Sequence, residues 1–349
     1  MSDRLHRLIR PHLDDVEPYT TARSRHRAGT LLDANENALG PLAPGEDPEI
    51  HRYPDPASRR LRSALSEHAG VPADRIWLGN GSDEAIDVLI RTVVPPGGRV
   101  AVAVPTYGVY AARAAVHDAR VVEARLDGDY DLDVDRTVEA ARDAPLVFVC
   151  SPNNPTGNLL DRSRILELVE RTRSLVAVDE AYVEFADRPS LAARAGEIPR
   201  LAVLRTFSKA WGLAGARVGW LAGHPVLVRH LRLAGLPYPL SRPAERAARR
   251  ALERAGEMAQ RVRRIRRERR RLRRGLQGMG LTVAPSDANF LLFFVADPSG
   301  VQRRLAEEHD VVVRDRSGLA GLAGALRVTV GAPEENDRFL EGLEEVLEP

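Results

Sequence analysis

Between residues 57 and 235, short apolar runs bounded by turn residues alternate with amphipathic segments of helical period, and this alternation leaves few architectures open. Arg99–Val104, Leu146–Cys150, Leu175–Val178, Leu201–Arg205 and Val218–Ala222 read as strands, with Ile76–Gly79 and Arg120–Arg125 as two more. Helical periodicity fills Ala57–Ala69 (stopped by Gly70), Asp83–Val94, Gly108–His117, Val134–Arg142 and Asp161–Arg173. A strand that is apolar at consecutive positions is buried on both faces. Strands of that kind interleaved with helices predict an α/β fold with a mainly parallel sheet covered on both sides.

The texture changes near residue 240. Pro243–Leu276 reads as one long arginine-rich helix. Strands at Asn289–Val295, Val311–Arg314 and Leu326–Val330 follow, with helices at Pro298–Glu308 and Pro333–Leu347, which is the pattern of a smaller α+β unit. The expected division is therefore a large α/β domain over 30–240 and a small α+β domain formed by 241–349 and an N-terminal arm, 1–29. Pro41–Pro48 is a surface loop by composition. No apolar run approaches ~18 residues, so no membrane span is expected. Met1–Leu13 lacks the apolar stretch of a signal peptide, and the single cysteine, Cys150, excludes an intrachain disulfide; together they point to a cytoplasmic protein.

Of 51 Lys and Arg residues only Lys209 is a lysine. Arginine serves wherever only charge is needed. It stays protonated and offers no primary amine, so it cannot replace a lysine that bonds covalently to a carbonyl carbon. On composition alone, covalent catalyst and surviving structural lysine are evenly balanced. The surrounding residues, Thr206-Phe-Ser-Lys-Ala-Trp-Gly-Leu-Ala-Gly-Ala-Arg217, tip that balance. Ser208 precedes the lysine and Arg217 follows eight positions later, two anion-binding groups converging on an amine, without the glycine spacing of a P-loop.

Four further segments fall at strand ends. Asp179 closes an apolar strand and is followed by Tyr182; a carboxylate there can pair with a protonated pyridine nitrogen, or simply cap a helix. Asn154, in Cys150-Ser-Pro-Asn-Asn-Pro-Thr-Gly157, offers an amide to a phenolic oxygen, or belongs to an ordinary turn. Gly79-Asn-Gly-Ser-Asp83 enters a helix whose free N–H groups suit a phosphate, a weak signal by itself. Pro105-Thr-Tyr107 presents an aromatic ring for stacking.

In this order the five segments resemble fold-type I pyridoxal 5′-phosphate (PLP) aminotransferases. The resemblance implies that Lys209 holds PLP and relays a proton, Asp179 pairs the pyridine nitrogen, Tyr182 and Asn154 bond the ring oxygen, and Tyr107 stacks on the ring. It implies that Ser82, Asp83, Ser208 and Arg217 hold the phosphate. Glu17-Pro-Tyr-Thr-Thr-Ala-Arg23, Asp33-Ala-Asn-Glu-Asn37, Arg52-Tyr-Pro-Asp55, Pro237-Tyr-Pro-Leu-Ser241 and Ala325-Leu-Arg-Val-Thr-Val-Gly331 narrow it to the histidinol-phosphate aminotransferase family. That family implies a homodimer with shared active sites, in which Tyr53 reaches the partner's PLP phosphate. It implies a substrate pocket lined by Tyr19, Asn35, Tyr238, Arg314 and Arg327, and exchange of an amino group between L-histidinol phosphate and 2-oxoglutarate. Guanidinium forks suit both substrates because both are anions, one a phosphate ester and the other a dicarboxylate. In an arginine-rich chain Arg314 could equally be surface charge.

Aromatic amino-acid aminotransferases, threonine-phosphate decarboxylase and enzymes of specialised metabolism share most of these segments and stay open as alternatives. Arg261–Arg274, with ten arginines in fourteen residues, raises nucleic-acid binding. Interspersed glutamates and the lack of aromatic interleaving favour a solvated helix face, so no nucleic-acid partner is expected. The nine histidines show no ligand spacing, so no metal is expected.

Overall fold

The computed structural model describes residues 5–17, 20–22, 33–37, 39–42, 47 and 49–348. Seven strands form the large sheet: β1 (Ile76–Gly79), β2 (Arg99–Val104), β3 (Arg120–Arg125), β4 (Leu146–Cys150), β5 (Leu175–Asp179), β6 (Leu201–Thr206) and β7 (Gly219–Ala222). Their order across the sheet is β1-β7-β6-β5-β4-β2-β3. Only β7 runs against its neighbours, β1 and β6; every other pair is parallel.

The continuous apolar runs are explained by two cores, one on each face. Val147, Val149, Val176 and Val178 point to one side, where they meet Leu61, Leu65 and Ile165. Leu146, Phe148, Leu175 and Ala177 point to the other, against Ile86, Leu89 and Leu231. Alternation along a strand therefore sorts residues between two buried layers instead of between core and solvent.

A second sheet has the order β10-β11-β9-β8, all antiparallel, from β8 (Thr282–Val283), β9 (Phe290–Phe294), β10 (Arg314–Asp315) and β11 (Ala325–Thr329). The helices Ala255–Gly278 and Pro333–Leu347 cover it, burying Leu272, Leu276, Phe293, Phe339 and Leu343.

Three features depart from the sequence expectation. The long helix is two, Arg242–Glu253 and Ala255–Gly278, separated by Arg254 at φ −110°, ψ 28°. The first buries Ala244, Ala248 and Leu252 in the large-sheet core and the second buries Leu272 and Leu276 in the small one. One straight helix cannot present its stripe to two differently placed cores, so the chain turns between them. Leu5 and Ile9, in the expected small-domain arm, pack in the large-sheet core beside Trp77 and Leu227. A helix at Pro225–Ala234 and the short strand β8 had no counterpart in the sequence reading.

Candidate active site

The carboxyl ends of β1, β2, β4, β5 and β6 deliver the five sequence segments to one pocket. Ser82, Asp83, Tyr107, Asn154, Asp179, Tyr182, Ser208, Lys209 and Arg217 all line it, together with Cys150, Ala181 and Thr206. These residues are spread over 136 positions of sequence, from 82 to 217, and only the parallel sheet makes them neighbours.

One end of the pocket is built for an oxyanion. The helix Ser82–Val93 begins here, so its first N–H groups face the pocket without intrahelical partners. Gly81 has φ 80°, and a Cβ on it would press into the Arg217 guanidinium. A Cβ on Gly219, the first residue of β7, would collide with the Gly81 carbonyl carbon and the Ser82 nitrogen. Two glycines thus let backbone and guanidinium close around the same space. Arg217 itself sits at φ 52° and donates to Asp83 Oδ2 (3.0 Å), Ser208 Oγ (3.3 Å) and the Ala214 carbonyl (3.2 Å).

At the pocket floor Asp179 is buried. The Tyr110 hydroxyl donates to its Oδ2 at 2.8 Å and the Ala181 N–H to its Oδ1 at 3.1 Å. Burial nevertheless pushes the carboxyl up to about 6, against the opposing pull of those bonds. A cationic ring nitrogen is the partner such a carboxylate lacks. Tyr110, fully buried and stacked on Phe148 at 4.7 Å, was not anticipated as part of the site. Its signal was faint: it sits in the first turn of the helix just after Tyr107, but reads as an ordinary core aromatic.

Asn154 donates to the Tyr182 hydroxyl at 3.3 Å and accepts a hydrogen bond from Arg327 Nη1. Burial raises the Tyr182 phenol, while the nearby Arg327 charge pulls it down. Lys209 opens to solvent through the pocket mouth, with Nζ 5.5 Å from the Tyr182 ring centroid. The walls still strip enough water from the ammonium to lower its pKa, and the Arg327 charge lowers it further. Tyr107 donates to Asp83 Oδ1 at 3.1 Å.

The remaining candidates lie apart from the pocket lining. Arg327, on β11, reaches the pocket through Asn154, and Arg314 stands opposite it in the β10–β11 register. Tyr53 and Tyr238 stack on each other at 4.6 Å, and Tyr53 is 48% exposed. Asn35 is exposed, at φ 53°. Tyr19 lies outside the described residues.

PLP fits this arrangement: an amine, a buried carboxylate short of a cation, an aromatic wall and a glycine-lined oxyanion cradle occupy one pocket.

Residues 27–343 match the family of class I and II aminotransferases. The chain is 37% identical to the histidinol-phosphate aminotransferase of Cytophaga hutchinsonii, over 98% of this chain and 99% of that protein. It is 40% identical to the histidinol-phosphate aminotransferase of Stenotrophomonas maltophilia, over 96% and 95%. The fold matches the crystal structure of histidinol-phosphate aminotransferase from Sinorhizobium meliloti in complex with pyridoxal-5′-phosphate with a TM-score of 0.81, at 29% identity over 90% of this chain and 89% of that one.

Proposed function

We propose that this chain, which belongs to the class I and II aminotransferase family and is a PLP-dependent enzyme, transfers the amino group of L-histidinol phosphate to 2-oxoglutarate. The observation that carries the substrate assignment, beside the near-full-length likeness to enzymes of that name, is the Arg314–Arg327 pair. The two face each other across the strand pair, Arg327 reaches the pocket through Asn154, and neither guanidinium has a carboxylate ion-pair partner among the described residues. Two guanidiniums without an ion pair beside the pocket suit substrates that carry an anionic group close to the amine-bearing carbon.

PLP, when bound, supplies an electron sink for charge developing on the carbon that bears the transferred amine. Lys209 Nζ, its pKa lowered, is available unprotonated as nucleophile and then as the base that moves a proton from that carbon. Asp179, held by Tyr110 and Ala181, keeps the opposite end of the ring cationic. Asn154 and Tyr182 bond the ring oxygen, and Tyr107 covers one ring face. The amides of Ser82 and Asp83, with Ser208 and Arg217, hold the phosphate, Arg217 exchanging the Asp83 carboxylate for it in part. Arg327 and Arg314 bind the substrate anion, with Tyr19, Asn35 and Tyr238 around it.

The same proposal includes a homodimer in which Tyr53 completes the partner's site. Its support is that Tyr53 is exposed and stacked on Tyr238, away from the pocket lining of its own chain. It also includes a division into a cofactor-binding part (residues 30–240) and a smaller part carrying Arg314 and Arg327, with Leu5, Ile9 and the helix Arg242–Glu253 assigned to the larger part by their packing. A cytoplasmic location accompanies it, supported by the single, buried cysteine; among the described residues no helix is long and apolar enough to cross a membrane.

The test is the visible spectrum of the holoenzyme. L-histidinol phosphate should remove the band of lysine-bound cofactor, and 2-oxoglutarate should restore it. A band that ignores L-histidinol phosphate but responds to L-phenylalanine would move the assignment to an aromatic aminotransferase.

A further inference from the structure

A third arginine stands beside the Arg314–Arg327 pair. Two residues after Arg314, the chain is still tied to β11: the Arg316 N–H donates to the Ala325 carbonyl at 2.9 Å. Residues two apart on an extended strand share a face, and directly paired residues of neighbouring strands share one too, so Arg316 lies on the same face as Arg314 and Arg327. Arg316 is half-buried, and its Nε is shut off from solvent with no hydrogen-bond partner. Burial and the Arg327 and Arg314 charges lower its pKa, while Tyr182, which lines the pocket, and Asp315 act in the other direction.

The intervening acid acts on Arg316 only through space, and its hydrogen bonds are spent elsewhere. Asp315 accepts from the Ser317 N–H and Oγ, both at 2.7 Å, and from Ser299 Oγ at 2.9 Å, all on its own side of the strand. It forms no ion pair with Arg314, Arg316 or Arg327 among the described residues. The Arg327 guanidinium meets only a neutral acceptor, Asn154 Oδ1, and the face of Phe290 at 5.2 Å. Three cationic forks with five donors each therefore lie together with one carboxylate, Asp315, acting on them through space and no ion pair to any of them among the described residues.

A carboxylate carries one negative charge and two oxygens, which two guanidiniums saturate. A phosphate monoester near neutral pH carries close to two charges on three terminal oxygens, enough for a third fork. We propose that Arg316 is a specificity-determining residue that gives this site its preference for a phosphate monoester over a carboxylate as the substrate's anionic group. This rests on the anion-binding reading of Arg314 and Arg327 above, and adds a residue and a charge preference to it. Arg316 was passed over in the sequence because it lies outside the Arg314 and Leu-Arg327-Val-Thr-Val patterns that carried the family resemblance.

The experiment is titration calorimetry on the PLP-loaded enzyme with two probes, propyl phosphate and butyrate, for the parent protein, Arg316→Gln and Arg316→Lys. Retention of the cofactor band in each variant is the check on folding. In Arg316→Gln the dissociation constant of propyl phosphate should rise about tenfold, the loss of one partly screened charge-assisted contact. That of butyrate should change less than twofold, and Arg316→Lys should fall between parent and Gln for the phosphate. Unchanged phosphate binding, or equal weakening of both probes, overturns the inference. The probes carry no amine, so this result does not depend on which amine the enzyme converts. A parent enzyme that prefers propyl phosphate but ignores L-histidinol phosphate in the spectral test would sink the substrate assignment and leave Arg316 in its role.

Discussion

Asp179 is where function costs stability most measurably. Its buried carboxyl has been lifted from 3.8 to about 6. At about 1.4 kcal/mol per pKa unit, the apoprotein gives up about 3 kcal/mol to hold this group ionised at neutral pH. The sign follows from proton counting. Between about pH 4 and 6 the unfolded chain has released the proton and the folded one still holds it, so this contribution falls as pH rises and is fully lost above the folded pKa. Asp179→Asn removes the ionisation. The amide oxygen can still accept from Ala181 N–H, but the NH₂ now faces the Tyr110 hydroxyl, a rearrangement that costs about 1 kcal/mol. The net gain for the apoprotein should be about 2 kcal/mol at pH 8. More than half of it should vanish at pH 5, where the parent's carboxyl is largely protonated. Urea unfolding of cofactor-free parent and variant at the two pH values measures this. An apo variant less stable than the parent at pH 8, or a difference independent of pH, would refute the reasoning. In the holoenzyme the order should reverse, because the variant can no longer pair a cationic ring nitrogen.

Other substitutions probe the cradle and the proposed dimer. Gly219→Ala drives a methyl into Gly81 and Ser82, and should destabilise the protein by about 2–3 kcal/mol and release PLP on gel filtration. A variant with unchanged melting temperature and cofactor content would show that the close approach is not needed. Tyr53→Phe keeps the stacking on Tyr238 and removes a hydroxyl; PLP affinity should drop about ten- to a hundredfold in the dimer, as for one hydrogen bond to a charged group. Unaltered affinity would take Tyr53 out of the phosphate shell.

The sheet was legible because both its faces are buried. Runs such as Leu146–Cys150 and Leu175–Asp179 contain almost no position where a polar residue is tolerated, and the helices between them keep clean apolar stripes. The pocket followed, since Asn154, Asp179 and Lys209 each lie at or just past a strand's carboxyl end. What stayed hidden depends on tertiary packing. Near Arg254 only Gly256 weakens a helix, and it lies inside the second one; the turn follows from the two flanking stripes facing different cores. Leu5 and Ile9 look like an arm in sequence, and only the packing shows which core takes them. Tyr110 reads as a core aromatic, and it is one; its hydroxyl matters because β5 places Asp179 beside it. Arg316 was masked by number, one arginine among many, until register put it next to Arg327.

Lys209 anchors the whole account, and its uniqueness makes the decisive measurement simple. The holoenzyme is reduced with borohydride, digested and mapped by mass spectrometry. With only one lysine in the chain, the reduced cofactor should appear on the single peptide containing Lys209, and prior treatment with L-histidinol phosphate should abolish the labelling. Cofactor mass on any other peptide, or none on this one in a protein that shows the cofactor's visible band, would contradict the assignment of Lys209 and the site built around it.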